Sequence, residues 1–353
     1  MYFKYNIKHI NFKYIRYILC VTPYLGVDIV RTKENKKGIS LIVLIITIIV
    51  VIILAAVVIL TLSKNNPIES AKEARFKEDI RTFQDELAMT VSKQYANAGG
   101  HRDGKISTRD YEEIKEYIPS FSEKYKNKFV IQDDQLMYVK TITETQKKWC
   151  KDLNVKLLYT ELEYLESTGI QAVNTNIYIK NTDIIEVIMQ DEKHDKTWEN
   201  WFGTIDNQFG LVRYTNKNIQ SFEISGKEIS INTTDIFTSK TKIIFDLPNK
   251  KITFNDNKEF RFTQNPLVQT TYSVYIFSKL RNITASSSGG EIYDVPGSFK
   301  LYSFSVKDST TNKYRYNLIP VLDYNNIPCI YDTVNCNFLY NETDTNLLYK
   351  LKE

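Results

Sequence analysis

Ile39 to Leu62 reads ISLIVLIITIIVVIILAAVVILTL, an unbroken apolar run without charge, glycine or proline, whose polar side chains are Ser40, Thr47 and Thr61. At about 1.5 Å per residue such a helix is roughly 36 Å long, enough to cross a hydrocarbon core of about 30 Å with some tilt. The run is apolar on every face, which predicts one transmembrane helix rather than a core helix. Everything after it is too polar to cross a bilayer. Asn65-Asn66-Pro67 then either kinks that helix or opens a new one, with Asn66 as cap and Pro67 in the first turn. From Ile68 to Tyr95 the apolar positions Ala71, Ala74, Phe76, Ile80, Phe83, Leu87, Val91 and Tyr95 recur mostly at three- and four-residue steps, the mark of an amphipathic helix with one stripe.

The helical pattern breaks at Asn97-Ala98-Gly99-Gly100. Asp103-Gly104-Lys105 invites a calcium-loop reading with Asp110 in the bidentate position, but two ligands are missing, and a turn followed by a short helix over Thr108–Tyr117 is the better expectation. In NKFVIQDDQLMYVK, residues 127–140, two short apolar runs flank Asp133-Asp134, which predicts a hairpin. A short helix over Thr143–Leu153 follows. These pieces predict a small α+β head, with Phe129, Ile131, Leu136, Tyr138 and Trp149 as core, too small to be stable without the long helix.

Near Leu157 helical spacing gives way to short alternating or apolar runs. Examples are Ile184–Met189, Lys242–Leu247, Tyr272–Ser278, Phe299–Val306 and Leu318–Leu322, separated by clusters such as Ser225-Gly226-Lys227 and Asn255-Asp256-Asn257. Many short strands with turns at this spacing predict a β-sandwich of about 200 residues. The expected fold class is α+β: a leader over 1–38, a transmembrane helix over 39–62, a helix extension with a small α+β head over 63–156, and an all-β sandwich over 157–353.

Charge sets the expected orientation. Arg31, Lys33, Lys36 and Lys37 precede the apolar run, whereas the far flank mixes Lys64, Lys72 and Arg75 with Glu69 and Glu73. The basic flank belongs on the cytoplasmic side, which leaves the large C-terminal part outside the cell. Lys36-Lys37-Gly38 followed at once by Ile39 resembles the type IV prepilin cleavage and methylation segment. The resemblance implies a prepilin peptidase that cuts between Gly38 and Ile39 and methylates the new amino group, and other pilin-like subunits as partners. It also implies a long helix that leaves the membrane to pack on a head. Two departures stand out. The family's usual glutamate five residues after the cut is Val43 here, so a subunit packed in a shaft would lack the carboxylate that pairs with a neighbour's amino terminus. The leader is also long; a start at Val30 through an alternative codon would shorten it to one ending KENKKG.

Tyr164-Leu165-Glu166-Ser167-Thr168-Gly169 opens the C-terminal region. Ile319-Pro320-Val321-Leu322-Asp323, Ile327-Pro328-Cys329-Ile330-Tyr331-Asp332 and Phe338-Leu339-Tyr340-Asn341 close it. With the Asp246–Phe254 hairpin between, this region is similar to laminin-G-like or concanavalin A-like jelly-roll domains, which implies display of a binding surface for glycans or proteins. Asn174 and Asn176 stand near where that family often has an aspartate and a glycine.

Catalytic chemistry finds little support. Hydrolases of this jelly-roll class place carboxylates alternately on one strand, whereas Glu186 and Glu223 each sit without such a neighbour, so no enzyme activity is expected. His9, His101 and His194 share no metal-ligand spacing, and no cofactor is expected. Among the aromatics, Trp201 and Phe202 read as core, and Trp198, beside a polar stretch, is the candidate ligand-binding residue. Cys329 and Cys336 flank a turn and are a candidate disulfide in an oxidising compartment. With 46 basic and 42 acidic residues the net charge is +4, without a basic stripe interleaved with aromatics, so nucleic acid is not an expected partner.

The expected function is that of a minor or tip pilin-like subunit on the cell surface, with a lectin-like domain for adhesion to glycans or surface proteins. The alternative is an unprocessed single-span surface receptor or scaffold, and a tethered glycan hydrolase ranks third.

Overall fold

The computed structural model describes residues 41–64, 67–102, 104–191, 198–214, 219–232, 239–280, 293–294 and 296–352. The chain forms two compact units, residues 1–68 and 69–353. Within the first, helix α1 (Leu41–Lys64) contains an 18-residue window, Leu41–Val58, of mean hydropathy 3.7. Its aliphatic side chains face outward, with Leu41 71 % and Leu54 59 % exposed. An uncovered apolar surface of this extent is stable in lipid and not in water. By length and composition α1 is long enough to span a membrane once. The predicted processing residues Lys36, Lys37, Gly38 and Ile39 lie outside the described residues.

The second unit begins with most of α2 (Pro67–Asn97). Its buried residues Phe76, Ile80, Phe83 and Leu87 lie at steps of four, three and four, and Val91 packs beside them. The predicted stripe is therefore present in its middle, while Ala71, Ala74 and Tyr95 are exposed. Helix α3 (Tyr111–Tyr117) starts at Asp110, whose carboxylate accepts from the amides of Glu112 and Glu113. That cap occupies the side chain which a calcium loop would need as its last ligand. Strands β1 (Phe129–Gln132) and β2 (Gln135–Tyr138) form the predicted hairpin. Its two turn residues both have positive φ, 51° at Asp133 and 66° at Asp134, the geometry of a tight hairpin turn in which aspartate is tolerated. Arg102 grips the Asp134 carboxylate with two nitrogens at 2.5 and 2.9 Å. Helix α4 (Glu144–Asp152) is fixed by a capping box between Thr143 and Gln146.

The remaining strands are β3 (Tyr159–Glu166), β4 (Val173–Asn174), β5 (Asp183–Asp191), β6 (Trp198–Gly203), β7 (Phe209–Tyr214), β8 (Ile219–Ile224) and β9 (Lys227–Asn232). They continue with β10 (Thr241–Asp246), β11 (Lys251–Phe254), β12 (Lys258–Arg261), β13 (Tyr275–Ile276), β14 (Lys279–Leu280) and β15 (Tyr293–Asp294). The last are β16 (Phe299–Asp308), β17 (Lys313–Asp323), β18 (Pro328–Asp332), β19 (Asn337–Leu339) and β20 (Leu348–Leu351). Two large antiparallel sheets result, and β14 and β15 pair as a separate two-stranded one. One large sheet runs β12-β11-β10-β5-β16-β3-β17-β18-β19 with β20 on β3, and the other runs β4-β13-β6-β7-β8-β9. Strands β16 and β17 pair from Phe304↔Leu318 to Asp308↔Lys313, then part to admit β3 between them.

Strand β5 shows why the sheets pack: Ile185, Val187 and Met189 are fully buried and alternate with half-buried Ile184, Glu186, Ile188 and Gln190. The buried set meets the other sheet in an aromatic core, where Phe245 lies 5.2 Å from both Phe209 and Phe222 and 6.0 Å from Phe202. Trp201 and Phe202 are buried there as expected.

The head does not stand apart from the sandwich. On the hairpin, Phe129, Ile131 and Leu136 enter the core beneath α2, whereas Val130 and Met137, directly paired, pack with Leu158, Val321, Cys329 and Tyr331. The hairpin thus has both faces buried, one in the head core and the other in a separate cluster on the outer face of the large sheet, which explains its near-continuous apolar sequence. Of the predicted head core, Tyr138 and Trp149 are partly buried at its margin. Arg109 adds a polar clasp, its guanidinium 5.6 Å from the Tyr159 ring centroid and 4.7 Å from that of Tyr331.

Candidate ligand-binding groove

The face of the large sheet turned away from the aromatic core is only partly covered by the hairpin. Beside the hairpin lies an open groove of about 400 Å³. Its floor comes from residues that alternate with core positions: Glu161 and Glu163 on β3, Ile188 on β5, Asn317 and Ile319 on β17. Lys240, Thr333 and Lys352 line its rim.

Strand β16 adds an irregularity. The core positions Phe299, Leu301, Phe304 and Val306 slip from a spacing of two to three between Leu301 and Phe304. The register with β5 shifts there, Leu301 facing Met189 and Ser303 facing Ile188, so Tyr302 is the extra residue of a bulge. A bulge re-aims side chains that regular pleating would turn inward. Tyr302 and Ser303 consequently both line the groove. The Tyr302 hydroxyl donates to Gln190 Oε1 at 3.0 Å, its ring meets Tyr164 edge-on at 5.6 Å, and Lys240 Nζ stands 4.2 Å from its centroid. These contacts hold the tyrosine in one orientation.

Lys352 donates to Glu161 Oε2 at 2.8 Å, and that hydrogen bond holds the Glu161 carboxyl below its ordinary value. Glu163 pairs with Lys350 at 2.7 Å. Asn317 Nδ2 donates to Thr333 Oγ1 at 2.8 Å. A carboxyl kept ionised is a hydrogen-bond acceptor and a poor general acid. The groove therefore offers an aromatic face, hydroxyls, an amide and acceptor carboxylates, groups suited to holding a polyhydroxylated ligand. Among the described residues no group of three or more histidine, cysteine, aspartate or glutamate side chains is placed to hold a metal ion.

The sequence-derived candidates fall elsewhere. Trp198 is half-buried at the start of β6, in register with Tyr214 on the six-stranded sheet, and so belongs to the sheet that does not form the groove. Cys329 and Cys336 are not bonded to each other: both are free thiols. Hairpin register explains the correction, since Ile330 pairs with Leu339 and Asp332 with Asn337, which leaves Cys336 in the turn, at a φ of 58°, rather than opposite Cys329. Burial pushes the Cys329 thiol up, and Cys336 lies beside the Tyr331 hydroxyl. Glu223 is buried in an ion pair with Lys279, 2.8 Å from Oε1, and Lys279 also donates to Asn207. Tyr302, Glu161 and Lys352 were missed by sequence reasoning; the slip in β16 spacing was the signal that could have found Tyr302.

No protein-family profile matches the chain, and no curated protein matches it. Among solved structures it is similar to a provisionally named carbohydrate-binding protein of Bacteroides ovatus, with 9 % identity and a TM-score of 0.38, over 54 % of this chain and 60 % of that one. It is also similar to the full extracellular region of zebrafish Gpr126/Adgrg6, with 12 % identity and a TM-score of 0.32, over 52 % of this chain and 25 % of that one. The chain thus spans less than two thirds of the length of either structure.

Proposed function

We propose that this chain is a membrane-anchored surface protein whose jelly-roll-like sandwich binds glycans in the groove beside Tyr302. The observation that carries the reading is the bulge that sets an oriented tyrosine among acceptor carboxylates, hydroxyls and an amide on an open sheet face. The role is retention of a ligand rather than its turnover. The apolar helix α1 supports anchoring, with the N-terminus in the cytoplasm and the sandwich outside.

A finer proposal concerns assembly. The Lys36-Lys37-Gly38/Ile39 boundary and the packing of α2 on a small head together fit a prepilin-like subunit, cut by a prepilin peptidase and joined to other pilin-like subunits in a minor or tip position. The bulk of the sandwich and Val43 in place of a carboxylate both disfavour repeated packing in a shaft.

Two measurements test these readings. On a glycan array, the full chain in nanodiscs is expected to bind a defined set of sugars, and Tyr302→Ala is expected to weaken that binding at least tenfold while keeping the chain folded with one cooperative unfolding transition; absence of any glycan binding would overturn the groove assignment. For assembly, Gly38→Leu is expected to retain the leader and keep the mature protein larger. An unchanged mature size would leave the unprocessed single-span receptor.

A further inference from the structure

The sheet groove does not end at the head. It shares Tyr159, Glu161 and Lys352 with a neighbouring cavity of about 260 Å³, and that cavity shares Lys147, Leu157, Tyr159 and Thr160 with a cleft of about 490 Å³ between α4 and the sandwich. The three depressions form one track, and its character changes along the way. At the sheet it carries Glu161 and Glu163; in the cleft it carries Lys148, Lys151 and Lys156, all exposed.

Local acids offset the lysines of the cleft only in part. Glu144 is held by Lys147 at 2.6 Å and Asp152 by Lys77 at 2.7 Å. Asp323 is buried, its carboxylate accepting from the amides of Asn325 and Ile327 and from the Tyr340 hydroxyl. No salt bridge among the described residues engages Lys148, Lys151 or Lys156, although Lys156 stands 5.5 Å from the centroid of the Tyr324 ring. Like charges gathered in a concave wall focus a positive potential and raise the local concentration of anions. Tyr159 and Tyr324 also line the cleft.

We infer that this cleft takes the acidic groups of an anionic polysaccharide whose chain also occupies the Tyr302 groove, an inference that rests on the glycan reading above. An extended polymer fits a track of linked depressions, and a flat bilayer surface does not enter a cleft walled by the head on one side and the sandwich on the other. The acidic group is a carboxylate or a phosphate, since ammonium groups pair with either as point charges.

The test uses the full chain in nanodiscs of neutral lipid, with polygalacturonic acid, poly(glycerol phosphate) and dextran as probes and phosphatidylglycerol vesicles as a further arm. The expected result is tighter binding of at least one acidic polymer than of dextran, weakening with salt, and a loss of about tenfold or more when Lys148, Lys151 and Lys156 are all changed to glutamate. Glutamine at the same three positions is expected to give a smaller loss, and it covers the case in which charge reversal perturbs folding. Reversal of Lys105, Lys115 and Lys258, exposed elsewhere, is expected to leave binding within twofold. Comparison of the two acidic polymers identifies the carboxylate or phosphate source. Equal affinity for dextran and both acidic polymers, with Tyr302 dependence retained, would overturn this inference and leave the groove reading standing. Absence of binding to all three would remove both. Binding of the vesicles alone, lost in the triple variant, would overturn the polysaccharide in favour of lipid headgroups.

Discussion

A glutamate on each large sheet pairs with a lysine at 2.8 Å, and the pairs do opposite things. Glu223 on β8 of the six-stranded sheet and Lys279 on the adjoining β14 are 5 % and 9 % exposed and are held further by Asn207. On the ten-stranded sheet, Glu161 and Lys352 are 31 % and 59 % exposed and line an open groove. The same chemistry at the same distance is structural where water is excluded and available to a ligand where it is not. Desolvation makes the difference: a buried charge stripped of its partner has no substitute, whereas an exposed one has water.

The largest effect is expected at the buried pair. Lys279→Met leaves the Glu223 charge buried without its lysine and should destabilise by about 3–5 kcal/mol in denaturant unfolding, while Glu223→Leu combined with Lys279→Met should recover most of that loss. Equal losses for the single and double variants would erase the contrast between the sheets. Gly210 adds a steric condition, because a Cβ there would lie 2.9 Å from Glu223 Oε2 and from the Phe202 carbonyl.

An intermediate case sharpens the comparison. Arg109 is half-buried between head and sandwich, and Arg109→Ala should cost roughly 0.5–2 kcal/mol by the loss of its contacts with Tyr159 and Tyr331. The loss should appear as one shifted transition, since the hairpin belongs both to the head core and to the cluster on the large sheet; two separated transitions would count against that coupling.

At the open pair the stability change should be small, about 0–1 kcal/mol for Lys352→Ala. The sensitive readout is titration. In the folded chain the Glu161 carboxyl sits below its ordinary 4.5, chiefly through the Lys352 hydrogen bond, so the pair's contribution is present above that value and fades as pH falls through the depressed one. Carboxyl NMR should place the midpoint below 4.5 in the wild type and higher in Lys352→Ala. The smallest perturbation is chemical: thiol labelling of the native chain should modify half-buried Cys336 faster than buried Cys150 and Cys329, without prior reduction. A requirement for reductant would restore the disulfide between Cys329 and Cys336.

Much of the architecture was legible because periodicity records burial directly. The α2 stripe, the Asp133-Asp134 hairpin, the capped α4 helix and the alternation of β5 all follow from residue spacing. The groove was not legible, because its residues occupy the half-exposed positions between core residues, where any polar side chain satisfies the pattern. Trp198 drew attention because it stands beside a polar stretch, but which sheet a strand joins is not carried by the spacing within β6. The two cysteines flank a turn in sequence, but one residue of register decides whether their side chains meet, and in the structure both are free thiols.

Arg102 pins the hairpin turn from the head side through Asp134, and Tyr324 of the sandwich donates to the adjacent Asp133 at 2.8 Å. A tether would stretch before transmitting tension, but here a pull on the sandwich reaches the head through a rigid turn clamped on both flanks. Tension on the sandwich would reach the head through these two clamps as well as along the covalent chain.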